Sequence, residues 1–248
     1  MIKDDFLKFL KEGGYKTTDG TNVLVDDLVQ ILEAEKNGSA DIAEALAWLD
    51  KKRKAYQVKV EEVAMKDLDK WRVDADTGYI SHDTGKFFSI IGVKTQGALG
   101  REVLGWTQPM IKQEECGILG ILCQKKSGLM RYLFYAKFEP GTPASLQLSP
   151  TLQATESNLK QAHGGKKPLF AEYFENAGRG KVLVNVVEVE DPGRNYHKTN
   201  RCMIVEVPEG EGVKVPDDFI WLNLAQVKKF LKLDNVVVSL ARCVLGSR

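Results

Sequence analysis

The chain reads as an α+β protein, with a helical N-terminal arm over residues 1–60 and one mixed β-sheet domain over residues 61–248. Three observations predict this. Apolar residues recur at helical spacing early in the chain. Short β-rich segments divided by Gly and Pro occupy it after residue 70, and a single capped helix follows near the end. In the arm, Leu24, Leu28, Ile31 and Leu32 recur at helical spacing, and Asn37-Gly38 ends that segment. Ser39 is placed to cap a second helix carrying Ile42, Ala45, Leu46 and Leu49 on one side, with Asp41 in the favourable first turn. The basic run Lys51 to Lys54 complements the dipole at its far end.

Candidate strands are Tyr79–His82, Phe87–Val93, Ile118–Cys123, Leu129–Phe138, Lys181–Val189, Arg201–Val207 and Val236–Leu240. Asp83-Thr84-Gly85, Ser127-Gly128, Pro140-Gly141 and Asp191-Pro192-Gly193 supply turns between them. The late helix has Asn223 as N-cap and Gln226 at the third position, with Leu224, Val227 and Leu231 facing inward.

Composition excludes several function classes. The chain has 248 residues, 43% hydrophobic and 28% charged, ordinary values for a globular protein. At 27.7 kDa a compact fold would expose roughly 11,000 Å². Thirty-five basic and 34 acidic residues leave a net charge of +1, with no strongly basic region, so nucleic acid is not an expected partner. The longest apolar runs, such as Gly117 to Cys123, fall far short of the ~20 residues that span a bilayer. Charges interrupt the first twelve residues, so no signal peptide is read there and a cytoplasmic setting is expected. Cys116, Cys123, Cys202 and Cys243 lack C-x-x-C spacing and are expected as free thiols.

Most chemical fingerprints are absent. Gly178-Arg179-Gly180-Lys181 runs straight into a strand and lacks the P-loop pattern, and Gly164-Gly165-Lys166-Lys167 reads as a turn before it reads as a phosphate nest. No G-x-G-x-x-G follows a strand, and no G-x-S-x-G elbow is present. His82, His163 and His197 are scattered without metal-ligand spacing, so neither a metal nor a redox cofactor is expected.

Two segments stand out. In Arg131 to Glu139, strand alternation puts Lys137 and Glu139 on one face, with Phe134 and Phe138 on the other. A cation beside a carboxylate can bind a ketone oxygen and move a proton; it can equally be an exposed ion pair on a sheet edge. In Ser149 to Asn158, an extended backbone aligns Thr151, Gln153, Thr155 and Ser157, a row of short hydrogen-bonding groups suited to sugar hydroxyls or to a polar loop.

Trp106-Thr107-Gln108-Pro109, Ala136-Lys137-Phe138-Glu139-Pro140-Gly141 and Ser149-Pro150-Thr151-Leu152-Gln153-Ala154-Thr155-Glu156-Ser157-Asn158 follow in order. With Trp71, Gly78 to His82, Gly85 to Phe88, His163-Gly164-Gly165, Asn200-Arg201 and Trp221-Leu222, they resemble the NDP-hexose 2,3-dehydratase family over about residues 66–245. The resemblance implies a Nudix-hydrolase-like fold without the acidic Nudix box, which this sequence lacks. Family chains hold two copies of this unit where this sequence carries one. Around Glu188 to Tyr196 only Glu190 and Arg194 match the family pattern.

The activity implied is elimination of water across C2 and C3 of a nucleotide-linked 4-keto-6-deoxyhexose, dTDP-linked in the family, with no cofactor. That chemistry needs a base at C3, a donor to the C4 oxygen and an acid for the departing hydroxyl. By residue type and shared strand face, Glu139 is the first choice for the base and Lys137 the candidate for the enolate or the diphosphate. His163 and Tyr196 are possible acids. Thr151, Gln153, Thr155 and Asn158 hold the sugar or base, with Gln108 also on the substrate and Trp106 stacking on it. Arg194 and Arg201 meet the diphosphate. A single copy of a normally doubled unit is expected to pair as a homodimer. A non-catalytic nucleotide-sugar-binding module is the alternative.

Overall fold

In the computed structural model, which describes residues 2–14, 19–85, 87–143, 145–160, 166–175 and 179–248, three helices lead the chain: α1 (Ile2–Glu12), α2 (Asp19–Lys36) and α3 (Ala43–Ala55). Gly38, at φ +76°, turns the chain between α2 and α3 in a conformation that suits glycine. The cap differs from expectation. Asp41 Oδ1 accepts from the Ala43 N–H at 2.9 Å, while Ser39 directs its hydroxyl back to the Ala34 carbonyl. The inward side of α2 also differs: Val25 and Ala34 are buried, and Leu24, Leu28 and Leu32 stay exposed. Ala34 meets Ala40, Leu129 and Ala225, and Ile31, one of the four residues at helical spacing, packs against the same cluster.

The chain then builds β1 (Trp71–Val73), β2 (Ile80–His82), β3 (Ser89–Gln96) and β4 (Gly105–Lys112) as an antiparallel meander. Next come β5 (Gly117–Lys126), β6 (Leu129–Lys137), β7 (Gln147–Ser149), β8 (Leu152–Thr155) and the short helices α4 (Glu156–Leu159) and α5 (Ala171–Glu175). β9 (Lys181–Val189), β10 (Asn195–Tyr196), β11 (Thr199–Val207) and β12 (Phe219–Asn223) precede α6 (Leu224–Phe230) and α7 (Ser239–Gly246). The larger sheet runs β12-β6-β5-β11-β9, with β7 beside β6 and β8 beside β5; the smaller runs β1-β2-β3-β4-β10. β11 lies parallel to β5, from Asn200 opposite Gly117 to Val207 opposite Gln124. The architecture is mixed α+β.

A fork in the larger sheet creates the cleft. β5 and β6 form a hairpin through Ser127 and Gly128, both at positive φ as a primed turn requires. They pair only as far as Cys123 opposite Tyr132 and then separate. β7 binds β6 at Tyr135 to Lys137, and β8 binds β5 at Gly117 to Gly120, filling the gap.

Alternation sorts the core. Leu119, Ile121, Tyr132, Phe134, Cys202 and Ile204 face α3, α6 and α7, which contribute Leu49, Val227, Phe230, Ala241 and Val244. Leu122, Leu133, Met203 and Val205 face the other way, against Phe170, Ala171 and Phe174. Gly120 sits under that second layer, where a Cβ would lie 2.4 Å from the Phe174 ring.

Asn223 and Gln226 make the expected reciprocal cap on α6, at 3.0 and 3.1 Å. The expected strand Val236–Leu240 is not one. Val237 makes a single bridge to Leu148 on the three-residue β7, and the chain enters α7 at Ser239. Among the described residues, no helix is long and apolar enough to cross a membrane.

Candidate active site

The ends of β5, β6, β8 and β11 surround a cleft of about 250 Å³. Lys137, Glu139, Gln153, Thr155, Asn158, Glu190, Lys198 and Asn200 line it. A neighbouring hollow of about 520 Å³ shares Glu139, Gln153 and Glu190 with it and extends along the start of α7.

Strand alternation delivers Lys137 and Glu139 as expected, with Phe134 buried in the core and Phe138 against Tyr56 at 5.5 Å. Lys137 Nζ lies 2.6 Å from Glu139 Oε1, and the two side chains are 26% and 43% exposed. Gln153 Nε2 reaches the same carboxylate oxygen at 3.4 Å. On the facing wall, Asn200 Nδ2 donates to Glu190 Oε2 at 2.6 Å. Gly117 makes room for this pair, because a Cβ there would sit 2.2 Å from Asn200 Oδ1.

Lys198 is buried, at 4% exposure, and donates to the Glu115 carbonyl at 2.6 Å. Burial draws its pKa down, against the opposing fields of Glu190, Cys116 and Glu115. The Glu115 carboxylate turns the other way and accepts from Ser157 N–H and Oγ at 3.1 and 2.8 Å. Burial opposes its charge, but the Ser157 bonds prevail and hold its pKa below the usual carboxylate value.

Among the described residues, the other expected residues lie in three places. Thr151 is buried, and its hydroxyl is committed at the fork: it donates to the Leu133 carbonyl at 2.5 Å and accepts from the Leu122 N–H at 2.9 Å. It therefore stands where a direct β5–β6 ladder bond would be, and Ser157, expected in the same row, belongs to α4. Trp106, Gln108, Arg194 and Tyr196 gather on the smaller sheet, away from the cleft lining. Trp106 Nε1 donates to Gln108 Oε1 at 2.7 Å, and Gln108 Nε2 donates to the Gly193 carbonyl at 2.8 Å. Arg194 is exposed, its carbonyl accepting from Ile111, and Tyr196 stacks on His197 at 4.1 Å. Arg201 points to the opposite sheet face from Asn200, is exposed, and donates to Asn185 at 2.9 Å. His163, with Gly164 and Gly165, lies outside the described residues.

Lys198 and Asn200 were within reach of sequence reasoning. Cys202 and Ile204 alternate inward along β11, and the same alternation carried back two and four residues lands on both. The same count puts Arg201 on the opposite face, which it shares with Met203 and Val205.

Comparisons with known proteins place the chain in a family. The family model described as NDP-hexose 2,3-dehydratase matches residues 42–247. A dTDP-4-dehydro-6-deoxy-alpha-D-glucopyranose 2,3-dehydratase of Saccharopolyspora spinosa is 42% identical over 210 residues, covering 85% of this chain and 43% of the relative. Proteins of the same name from Amycolatopsis orientalis and Streptomyces violaceoruber are 40% and 34% identical, with 43% and 46% of their lengths covered. The chain thus spans less than half the length of these curated relatives. Among solved structures, an ADP compounds hydrolase matches with TM-score 0.41 and 10% identity, over 77% of this chain and 94% of its own. The Ap4A hydrolase of C. elegans matches with TM-score 0.32 over 47% of this chain and 86% of its own, also at 10% identity. A family match across five-sixths of the sequence, repeated by three relatives at 34–42% identity, shows that the chain belongs to the NDP-hexose 2,3-dehydratase family.

Proposed function

We propose that this unit removes water across C2 and C3 of an NDP-linked 4-keto-6-deoxyhexose, with dTDP as the carrier suggested by the relatives' names. The observation that carries the reading is the Lys137–Glu139–Gln153 cluster lining a cleft inside the region that matches the family. Glu139 takes the C3 proton, which the C4 ketone acidifies, and the C3–H electron pair becomes the enolate. The enolate then collapses, restoring the C4 ketone, forming the C2=C3 bond and expelling the C2 hydroxyl. Glu139, now holding the C3 proton, can return it to that hydroxyl, so water leaves and the carboxylate is regenerated. The remaining C3 enol relaxes to a 3,4-diketo-2,6-dideoxyhexose. Gln153, Thr155 and Asn158 orient the sugar hydroxyls, and Lys137 serves the C4 oxygen or the diphosphate. The four free thiols suit a reducing setting such as the cytoplasm.

A homodimer is part of the same proposal. Among the described residues of the smaller sheet's strands, only Ile91 and Met110 are buried, while Val73 and the nearby loop residues Leu99, Val103 and Leu104 are all more than half exposed. The accessible surface is 15434 Å², against roughly 11,000 Å² expected for a compact chain of this mass. A second copy of the unit covering that sheet would bury these side chains and part of the excess area.

The test is proton exchange in deuterated water with dTDP-4-keto-6-deoxyglucose, followed by NMR. Loss of the C3 proton signal with release of the nucleoside diphosphate from an unstable product is the expected result. Tight binding with neither would leave a binding module and refute the elimination.

A further inference from the structure

Three segments meet at Lys198, and one of them reaches its ammonium. The non-glycine residue His197, at φ +57°, reverses the chain just before β11. The Glu190 N–H donates to the Lys198 carbonyl at 3.0 Å, and the Glu115 carbonyl receives the amine at 2.6 Å. Left-handed backbone is unfavourable at a residue other than glycine. Burying an ammonium also costs free energy unless a partner compensates. Here the hydrogen-bonding partner is a neutral carbonyl, and among the described residues no carboxylate lies within ion-pair distance of Lys198. An ammonium has three donors, so two remain for an oxygen entering the cleft that Lys198 lines. Lys137 differs on each point: it is a quarter exposed and already paired with Glu139 at 2.6 Å.

We propose that Lys198, not Lys137, donates to the C4 oxygen as the enolate forms. The proposal rests on the elimination reading above and assigns the group that carries its developing charge. A fixed cation in a water-poor wall favours charge on the reacting oxygen far more than a solvated, paired one does. Lys137 then acts at the cleft mouth, on the diphosphate and on the orientation of Glu139.

The experiment compares wild type, Lys198→Met and Lys137→Met by three readings: C3 deuterium exchange, affinity for thymidine diphosphate, which has no ketone, and melting temperature. Lys198→Met should exchange ~10²-fold more slowly while its thymidine diphosphate affinity stays within about threefold. Lys137→Met should instead weaken thymidine diphosphate binding. Exchange by Lys198→Met within threefold of an active wild type overturns the assignment alone, and a parallel fall in exchange, affinity and melting temperature reduces Lys198 to a structural tie. If Lys198→Met does not fold, wild-type protein carrying [ε-¹³C]lysine decides. The Lys198 resonance, assigned with Lys198→Arg, should move with the 4-keto sugar nucleotide and not with thymidine diphosphate; no movement overturns the proposal. A wild type that binds neither ligand refutes the elimination reading itself, and the Lys198 role with it.

Discussion

Thr151→Val separates a structural hydroxyl from a ligand-binding one. Valine matches threonine in shape, so the change removes one oxygen and creates no cavity. That oxygen joins the Leu122 N–H at 2.9 Å to the Leu133 carbonyl at 2.5 Å, at the point where β5 and β6 part. Two net hydrogen bonds are worth about 1 kcal/mol each, and a buried N–H left without an acceptor adds a further ~1–2 kcal/mol, so the loss should be about 3–4 kcal/mol. With a urea slope of about 3 kcal/mol/M, the unfolding midpoint should fall by roughly 1 M. Thr151→Ser keeps the hydroxyl, loses one methyl and should cost only about 0.5–1.5 kcal/mol. The assay is urea unfolding followed by fluorescence, with thymidine diphosphate affinity measured well below the transition. An unchanged midpoint combined with weakened binding would refute the fork argument and return Thr151 to the ligand.

Three further outcomes follow from the same geometry. Gly117→Ala should push Asn200 off Glu190 and destabilise the fold by about 1–3 kcal/mol; adding it to Asn200→Ala should cost little more, since the clash partner at 2.2 Å is gone, and full additivity in a double-mutant cycle would disprove the contact. Burial pushes the Cys123 thiol up to about 12, and burial with the Cys243 contact does the same for Cys202, whereas Cys116 is exposed; at pH 8 a thiol reagent should modify Cys116 ahead of these two, read by mass spectrometry of the native protein. Glu115 has a folded pKa below its unfolded value, so its contribution is present above the unfolded pKa near 4.3 and is lost as pH falls through the folded one. Between pH 5 and 3, wild type should therefore lose melting temperature more steeply than Glu115→Gln, and parallel curves would show that the Ser157 bonds do not matter.

Local signals revealed some parts of the molecule and hid others. The α6 cap was legible because Asn223 and Gln226 satisfy each other within one turn. Alternation around Lys137 and Glu139 was legible because Phe134 and Phe138 anchor the opposite face in the core. The fork was not legible. A polar row in the sequence does not reveal that β7 and β8 wedge between β5 and β6, and it is the wedge that turns Thr151 into a sheet component while Gln153 and Thr155 reach the cleft. The Val236–Leu240 run misled for a related reason: β-branched residues form a strand only beside a free edge long enough to pair, and β7 offers three residues.

The segment from Glu190 to Lys198 explains why the site residues named from the sequence fell into two places. It leaves the cleft wall at Glu190 and turns at Asp191, with φ +34°. It adds β10 to the smaller sheet opposite Ile111 and Lys112, and returns through the left-handed His197 to Lys198. Both ends lie in the cleft, and the Glu190 N–H to Lys198 carbonyl bond closes the excursion at 3.0 Å. Arg194 and Tyr196 ride on the excursion, and Gln108 holds its tip through the Gly193 carbonyl. Strand β10 is therefore an anchor for two cleft residues, and the smaller sheet is coupled to the site without lining it. Tyr196 and Lys198, two residues apart, end in different places, one on the smaller sheet and the other in the cleft wall, because two positive-φ residues bracket a two-residue strand. A motif read by position in the chain cannot resolve that, whereas the backbone conformation at Asp191 and His197 does.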